Sequence, residues 1–327
     1  MDRRRCISLA LTKVPRRRVT ELNAILDSPE IARLIEELEA VRWTGRPGYP
    51  IRALLGVALA KSIYAIPTWS RTVALVHEHE ALQRALGAVP SVYAAYRFAE
   101  KLRKHGHLLD GCIERVLGRL RSANPGMGEN IAIDASDLPA YANGQRFVSN
   151  GGRERASSEY SDPDASWGHR SAISTRKGGG FYGYRVHVAV CTVTGLPLAW
   201  EVCTAKANEV PQALPLLERA GNRVRTVAMD KGYDQTVIYE GCFARGVEAI
   251  IPLKRTQYAI PAAKLRTPRD ERWKALYSAR GAIEREFGRL KHEWAMLPLR
   301  VRGLARVKLH IDLTILAKLC LSFARPS

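Results

Sequence analysis

Apolar residues in the first third of the chain recur three and four positions apart. Residues 30–41, 52–64, 70–79, 93–104 and 108–121 carry this spacing, which predicts five helices. Pro50 and Ile51 open the second of them and Pro67 stops it, while Gly87-Ala-Val-Pro90 reads as a turn. The pattern gives an all-α N-terminal domain over residues 20–123. Such a bundle has room for a helix-turn-helix DNA reader, although no single helix stands out as the reading helix.

Asn124-Pro-Gly-Met-Gly128 breaks the pattern, and beyond it the apolar runs shorten to strand length. Strands are predicted over 130–134, 182–192, 196–204, 223–230 and 248–252, with the second and third joined at Thr194-Gly195 as a hairpin. Helices are predicted over 209–220 and 235–245, and a basic loop over 253–271. Residues 277–291 continue as helix, and residues 304–323 form a final amphipathic helix. Residues 141–181, rich in Ser, Gly and Arg with few apolar anchors, read as a long mobile loop. Three antiparallel strands followed by parallel strands alternating with helices is the order of a ribonuclease H-like domain. The fold class is therefore α/β, a mixed sheet with flanking helices over residues 129–327, preceded by the all-α domain.

Charge changes the picture from fold to partner. The chain has 327 residues, a formal net charge of +19 and a pI of about 10.0. A polyanion is implied, and nucleic acid leads. Of the 51 cations 38 are arginine, whose planar fork suits bidentate phosphate contact. Residues 254–308 hold 15 Lys or Arg against 5 Asp or Glu. A second cluster, Arg3, Arg4, Arg5, Lys13, Arg16, Arg17 and Arg18, reads as a basic N-terminal arm over residues 1–19.

The six cysteines include no C-x-x-C pair, which argues against a zinc site or a disulfide framework. No signal peptide or membrane span is visible, so the expectation is a cytoplasmic, nucleoid-associated protein without a membrane partner.

The chemistry concentrates in Tyr277, Arg280, Glu284 and Lys291. On one straight helix their offsets fall within roughly 60° around the axis. That face carries one carboxylate, one phenol and two cations, which suits a site handling a metal ion and a phosphodiester together. Two predicted strands also end in acids, Asp134 after Ile-Ala-Ile and Asp230 after Val-Ala-Met. Ligands bind at the carboxyl ends of such strands. Three acids converging there would hold two divalent cations through oxygen ligands. Mg²⁺ fits that donor set best, with Mn²⁺ able to substitute. Asp137 competes with Asp134, and Asp234 with Asp230, though Asp234 also suits the N-cap of the following helix. Glu286 is two positions from Glu284 and faces away. Arg280 and Glu284 alone would read as an i,i+4 surface ion pair worth about 0.3–0.5 kcal/mol.

These motifs together resemble a DDE transposase of a bacterial insertion sequence, of the group marked by Tyr-x2-Arg-x3-Glu-x6-Lys. Tyr277, Arg280, Glu284 and Lys291 meet every spacing, Asp230-Lys-Gly-Tyr-Asp234 resembles the second block and Ile133-Asp134-Ala-Ser136 the first. The region around Gly48-Tyr-Pro-Ile-Arg-Ala-Leu-Leu55 is similar to the helical N-terminal domain of such enzymes. The resemblance implies that Asp134, Asp230 and Glu284 are the catalytic metal ligands. It implies that Tyr277, Arg280 and Lys291 contact the transposon end, and that a homodimer on double-stranded DNA pairs two terminal inverted repeats before attack on target DNA. Only 53 residues separate Asp230 from Glu284, which leaves no room for the large β-rich insertion of some relatives. Two rivals share the residues: a nuclease that cuts without strand transfer, and an inactive DNA-binding regulator, which the complete acid triad disfavours.

Other features read as structural. His77-Glu-His-Glu80 lacks H-E-x-x-H spacing and suits a solvated helix face. His187, between Val186 and Val188, suits a sheet face, whereas Tyr160 and Trp167 could stack on bases.

Overall fold

The computed structural model describes residues 16–41, 48–147, 152–170, 178–254 and 260–324. The chain forms two compact units, one of Met1–Arg119, Leu290–Arg300 and Leu309–Ser327, the other of Leu120–Arg289 and Val301–Lys308. These units divide the chain differently from the linear split at residues 124–128, because the C-terminal residues belong with the N-terminal helices.

The first unit is helical: Arg16–Leu26, Pro29–Ala40, Ile51–Ile63, Trp69–Glu78, Glu80–Leu86, Val92–Lys104 and most of Gly106–Ala123. The first and fifth of these were not expected from the periodicity. Most of the predicted basic arm lies outside the described residues, and its last four positions begin the first helix. In Ile51–Ile63 every residue but Arg52 is buried. A helix apolar all round belongs at a centre.

The final helix, Leu304–Ala324, is not amphipathic over its length as expected, since every residue from 309 to 321 is buried. Its polar residues survive burial by finding partners. Lys61 Nζ lies 3.1 Å from His310 Nδ1, and Ser62 Oγ lies 3.3 Å from Thr314 Oγ1. Burial pushes the Lys61 ammonium down to about 8 and, with Lys61 adding to it, the His310 imidazole down to about 3. His310 is thus neutral and accepts from Lys61, while its Nε2 faces Met296 O at 3.2 Å.

The second unit holds one six-stranded sheet: β1 (Asn130–Pro139), β2 (Ser166–Arg170), β3 (Gly179–Cys191), β4 (Pro197–Thr204), β5 (Thr226–Ala228) and β6 (Glu248–Ile250). β1 pairs antiparallel with β3 and parallel with β5. β4 pairs antiparallel with β3, and β6 parallel with β5. The order β4-β3-β1-β5-β6 is the ribonuclease H-like arrangement expected from the element order. Helices Val210–Ala220 and Thr236–Phe243 connect β4 to β5 and β5 to β6.

The segment 141–181 is not the unstructured loop expected. Among its described residues it supplies β2, which pairs with the start of β3, and a buried knot around Asp162. Asp162 Oδ1 accepts from Tyr184 Oη at 2.7 Å and from Gly303 N at 3.0 Å, and Tyr160 stacks on Tyr182 at 4.1 Å. Tyr160 is therefore a packing residue rather than a base-stacking one. A few aromatic anchors and one buried acid hold a segment whose composition suggested none. The five cysteines described are free thiols.

His187 on β3 is fully buried with both ring nitrogens unpaired, and burial pushes its pKa down to about 4. The folded state keeps it neutral while the unfolded chain takes a proton below about 6.5. Stability is predicted to fall as pH drops from 6.5 toward 4, by up to about 3 kcal/mol from this group. Urea melts of the parent and a His187→Leu variant across that range check this; an equal acid loss in both would remove His187 as its source.

Candidate active site

β1 and β5 are adjacent and parallel, with Ala132 opposite Ala228. Asp134 and Asp230 each lie two residues past that pair. Both acids therefore leave the sheet at the same height, at the carboxyl ends of neighbouring strands. Asp137 is three residues beyond Asp134, so the pleat turns it to the other face, where Arg185 Nε lies 3.5 Å from Oδ1. The choice of Asp134 over Asp137 follows from strand geometry.

Asp230 caps the short turn Lys231–Tyr233, its Oδ1 accepting from Gly232 N at 2.7 Å. Asp234 is spent elsewhere. It is buried and accepts from Lys254 N at 2.8 Å, Tyr239 Oη at 3.2 Å and Lys264 Nζ at 3.0 Å. Burial opposes its charge, but these donors outweigh burial and hold the carboxyl below its usual range. The expected N-cap role falls instead to Gln235, which makes no side-chain cap. Asp234 ties the Lys254 and Lys264 segments to the sheet edge, leaving Asp230 as the accessible acid.

The signature segment is not one unbroken helix. Glu271–Ser278 ends at a tight turn through Ala279 and Arg280, and Gly281–Glu293 follows. Arg280 N bonds back to Tyr277 O at 3.0 Å, an i to i−3 closure, and Gly281 is a weak helix former at the junction. The break aims Arg280 inward. Its Nη1 lies 3.0 Å from Asp134 Oδ2 and its Nη2 2.5 Å from Glu284 Oε1. One guanidinium thus joins the strand acid to the helix acid.

A ladder stands behind it. Arg269 lies over Trp273, Trp273 stacks on Tyr277 at 5.2 Å, and Arg280 lies 5.8 Å from the Tyr277 ring. Lys291 sits about two turns past Glu284, half-buried, where the helix enters the first unit. Glu286 is buried, away from the exposed Glu284.

Charge is crowded here. Burial pushes Asp134 up to about 7, repulsion from Asp230 and Glu209 adds to it, and the Ala135 N–H and Arg280 oppose it. Glu209 opens the Val210–Ala220 helix and pairs with Arg185 Nη1 at 2.8 Å; burial first, then Asp230 and Asp137, raise its pKa. Tyr233 is buried with an unpaired hydroxyl, and burial together with the charges of Asp134, Glu209 and Asp230 raises its pKa further. Sequence reasoning missed Glu209, Arg185 and Tyr233. Tyr233 lay inside the motif Asp230-Lys-Gly-Tyr-Asp234, but no local spacing marked the other two.

An open basin of about 770 Å³ borders the site, lined by Arg146, Trp167, His169, Arg185, Lys206 and Gln235 among others. Trp167 Nε1 donates to Tyr160 Oη at 2.9 Å, which leaves the rim of the indole toward the basin.

Acids on two strand ends and a helix, set in a basic chain, match a known family. Residues 125–320 match the Transposase DDE domain, and residues 9–101 match the Transposase domain (DUF772). The chain belongs to the DDE transposase family. It is a DNA transposase, an enzyme that cuts and transesterifies phosphodiesters.

Two solved structures are similar at low identity. One is a piggyBac transposase synaptic complex with hairpin DNA, at 10% identity and a TM-score of 0.43, covering 94% of this chain and 75% of that one. The other is a pre-cleavage Mos1 transpososome, at 12% identity and a TM-score of 0.23, covering 96% and 99%. Both scores are too low to define the fold, which rests on the strand order. No curated protein matches.

The family generally uses a divalent metal. Among the described residues no three His, Cys, Asp or Glu side chains form a ready metal cage. The donor set nevertheless fits a hard cation: it is all carboxylate oxygen, and Asp134 carries more negative surroundings than Arg280 offsets. No described helix of the transposase is long and apolar enough to cross a membrane.

Asp234 and Asp230 are predicted to separate cleanly on substitution. Asp234→Ala strands the buried Lys264 ammonium and should cost about 3–5 kcal/mol in a urea melt. Asp230→Asn should shift the midpoint little, and equal midpoints for the two variants would refute the division of roles.

Proposed function

We propose that Asp134, Asp230 and Glu284 are the catalytic acids of this transposase. They would hold Mg²⁺, two ions in the working site, while a transposon end is cut and the freed 3′-hydroxyl joined to target DNA. The observation that carries this reading is the register of β1 and β5, which sets Asp134 beside Asp230, with Arg280 bridging Asp134 to Glu284. Bound there, the metal would activate the attacking oxygen and stabilise the leaving one during in-line displacement.

The chain's own residues do the rest. Arg280 neutralises Asp134 and Glu284 against each other and keeps them converged. Both its Nη groups are spent on carboxylates, so contact with a DNA phosphate requires releasing at least one of them. Tyr277 props the guanidinium from behind, and Lys291 lies where a phosphate further along the end would pass. Arg185 holds Glu209 and Asp137, keeping two further acids from competing for the cation. The basic basin beside Gly232 suits the approaching DNA backbone. Pairing of two ends calls for two copies of the chain, so the working species is a homodimer on DNA, and the charge of +19 keeps it with the nucleoid.

The test is cleavage of a duplex bearing the element's terminal repeat, with and without Mg²⁺. Asp230→Asn and Glu284→Gln should each lower the rate by at least 10³-fold, an order of magnitude usual for lost charge stabilisation. Parental rates in either variant would overturn the assignment. Arg280→Ala and Lys291→Ala should weaken end binding, and loss of each phosphate contact should reduce the salt slope by about 1. An unchanged slope would remove them from the DNA contact.

A further inference from the structure

The catalytic unit holds the chemistry, but nothing in it selects a sequence. The first unit contains one surface suited to that task. Helix Glu80–Leu86 ends at Gly87, whose φ of +75° makes the left-handed cap that glycine adopts freely. Four residues later helix Val92–Lys104 begins, with Ser91 Oγ accepting from Ala94 N at 3.2 Å. Leu82 and Leu86 of the first helix are buried, as are Ala95, Phe98, Ala99 and Leu102 of the second. The pair is a helix-turn-helix with a buried inner face.

The outer face of the second helix is unusual. Tyr93 and Tyr96 are 69% and 52% exposed, the only large aromatics so exposed on a described helix of this unit. Arg97 lies beside them, its Cζ 5.7 Å from the Tyr93 ring. Further along come Lys101, Arg103 and Lys104 against a single acid, Glu100, which pairs with Lys104 at 3.5 Å. Partial burial first, then repulsion from Arg97 and Lys104, lowers the Lys101 pKa, so positive charge is crowded along this face. A second protein chain gains little from meeting such a face, whereas a polyanion neutralises it.

We infer that helix Val92–Lys104 enters the major groove of duplex DNA and reads it with Tyr93, Tyr96 and Arg97. This rests on the DNA-processing function above but not on the assignment of the catalytic acids. The helix is about 20 Å long, and the three readers fall in its first turns, the part that meets base edges in helix-turn-helix docking. Arg97 suits guanine O6 and N7, and the tyrosine rings suit thymine methyls and phosphate oxygens. Arg103 and Lys104 lie one to two turns beyond, where flanking phosphates run.

The test uses the full chain carrying Asp230→Asn, so that binding is read without cutting. It is incubated with a random-sequence 30-bp duplex pool, and the retained DNA is sequenced over successive rounds. The expected result is an enriched motif. Tyr96→Ala and Arg97→Ala, each added to that background, should weaken binding of the selected duplex roughly ten- to a hundredfold. Binding to an unselected duplex of the same length should change by less than about threefold.

Circular dichroism melts verify that these exposed substitutions leave the fold intact. Recovery of the same motif with the same affinity by both variants would overturn the inference. So would failure of the parent to enrich any motif, or a change of oligomeric state in place of the binding loss. A wrong catalytic triad would leave all these binding results unmoved, so the two readings fail separately.

Discussion

Crowded negative charge at one edge of the sheet is the constraint on which the second unit turns. Asp134 and Asp230 leave adjacent parallel strands at one level, and Glu209 stands close enough to both to raise its own pKa and that of Asp134. Two like charges about 4 Å apart repel by about 4 kcal/mol near a protein surface. Two arginines answer that repulsion. Arg280 joins Asp134 to Glu284, and Arg185 joins Asp137 to Glu209. The tight turn before Gly281 and the ladder of Arg269, Trp273 and Tyr277 make structural sense as the means of delivering one guanidinium to one place. The remaining excess of negative charge is what a divalent cation would relieve, so the same electrostatic imbalance that strains the folded protein equips it for phosphodiester chemistry.

The first unit obeys a different rule. Its two central helices, Ile51–Ile63 and the buried part of Leu304–Ala324, are apolar around almost their whole circumference, so hydrophobic burial alone would hold them together in many registers. The Lys61–His310 and Ser62–Thr314 contacts select one. Burying an ammonium and an imidazole is costly, and the lowered pKa values record that cost. Polar pairs thereby supply specificity where apolar packing supplies stability, while the outer helices remain free to present tyrosine and arginine to a partner.

Much of this was legible in the chain, and what escaped has common causes. Strand-end acids could be read because Asp134 and Asp230 each follow three apolar residues, a local signal. The order of elements implied the sheet order, because connections between strands are short and of fixed hand. Glu209 and Arg185 could not be read, because they approach the site from a helix start and from mid-strand, and no spacing joins them to it. The loop assigned to 141–181 failed for a related reason: Asp162 is buried only because Tyr184 and Gly303 reach it from distant parts of the chain.

The sequence by itself determined the family, the periods of the elements, the acids competent for the chemistry and the affinity for a polyanion. These follow from residue type and near-neighbour spacing, which survive without knowledge of the fold. Only the tertiary structure decided between alternatives that spacing left open. It turned Asp137 to the opposite face, consumed Asp234 in a buried ion pair, broke the signature helix at Arg280 and grouped the C-terminal helix with the N-terminal ones. Each of those outcomes rests on a contact between residues far apart in the chain, whose geometry exists only after folding.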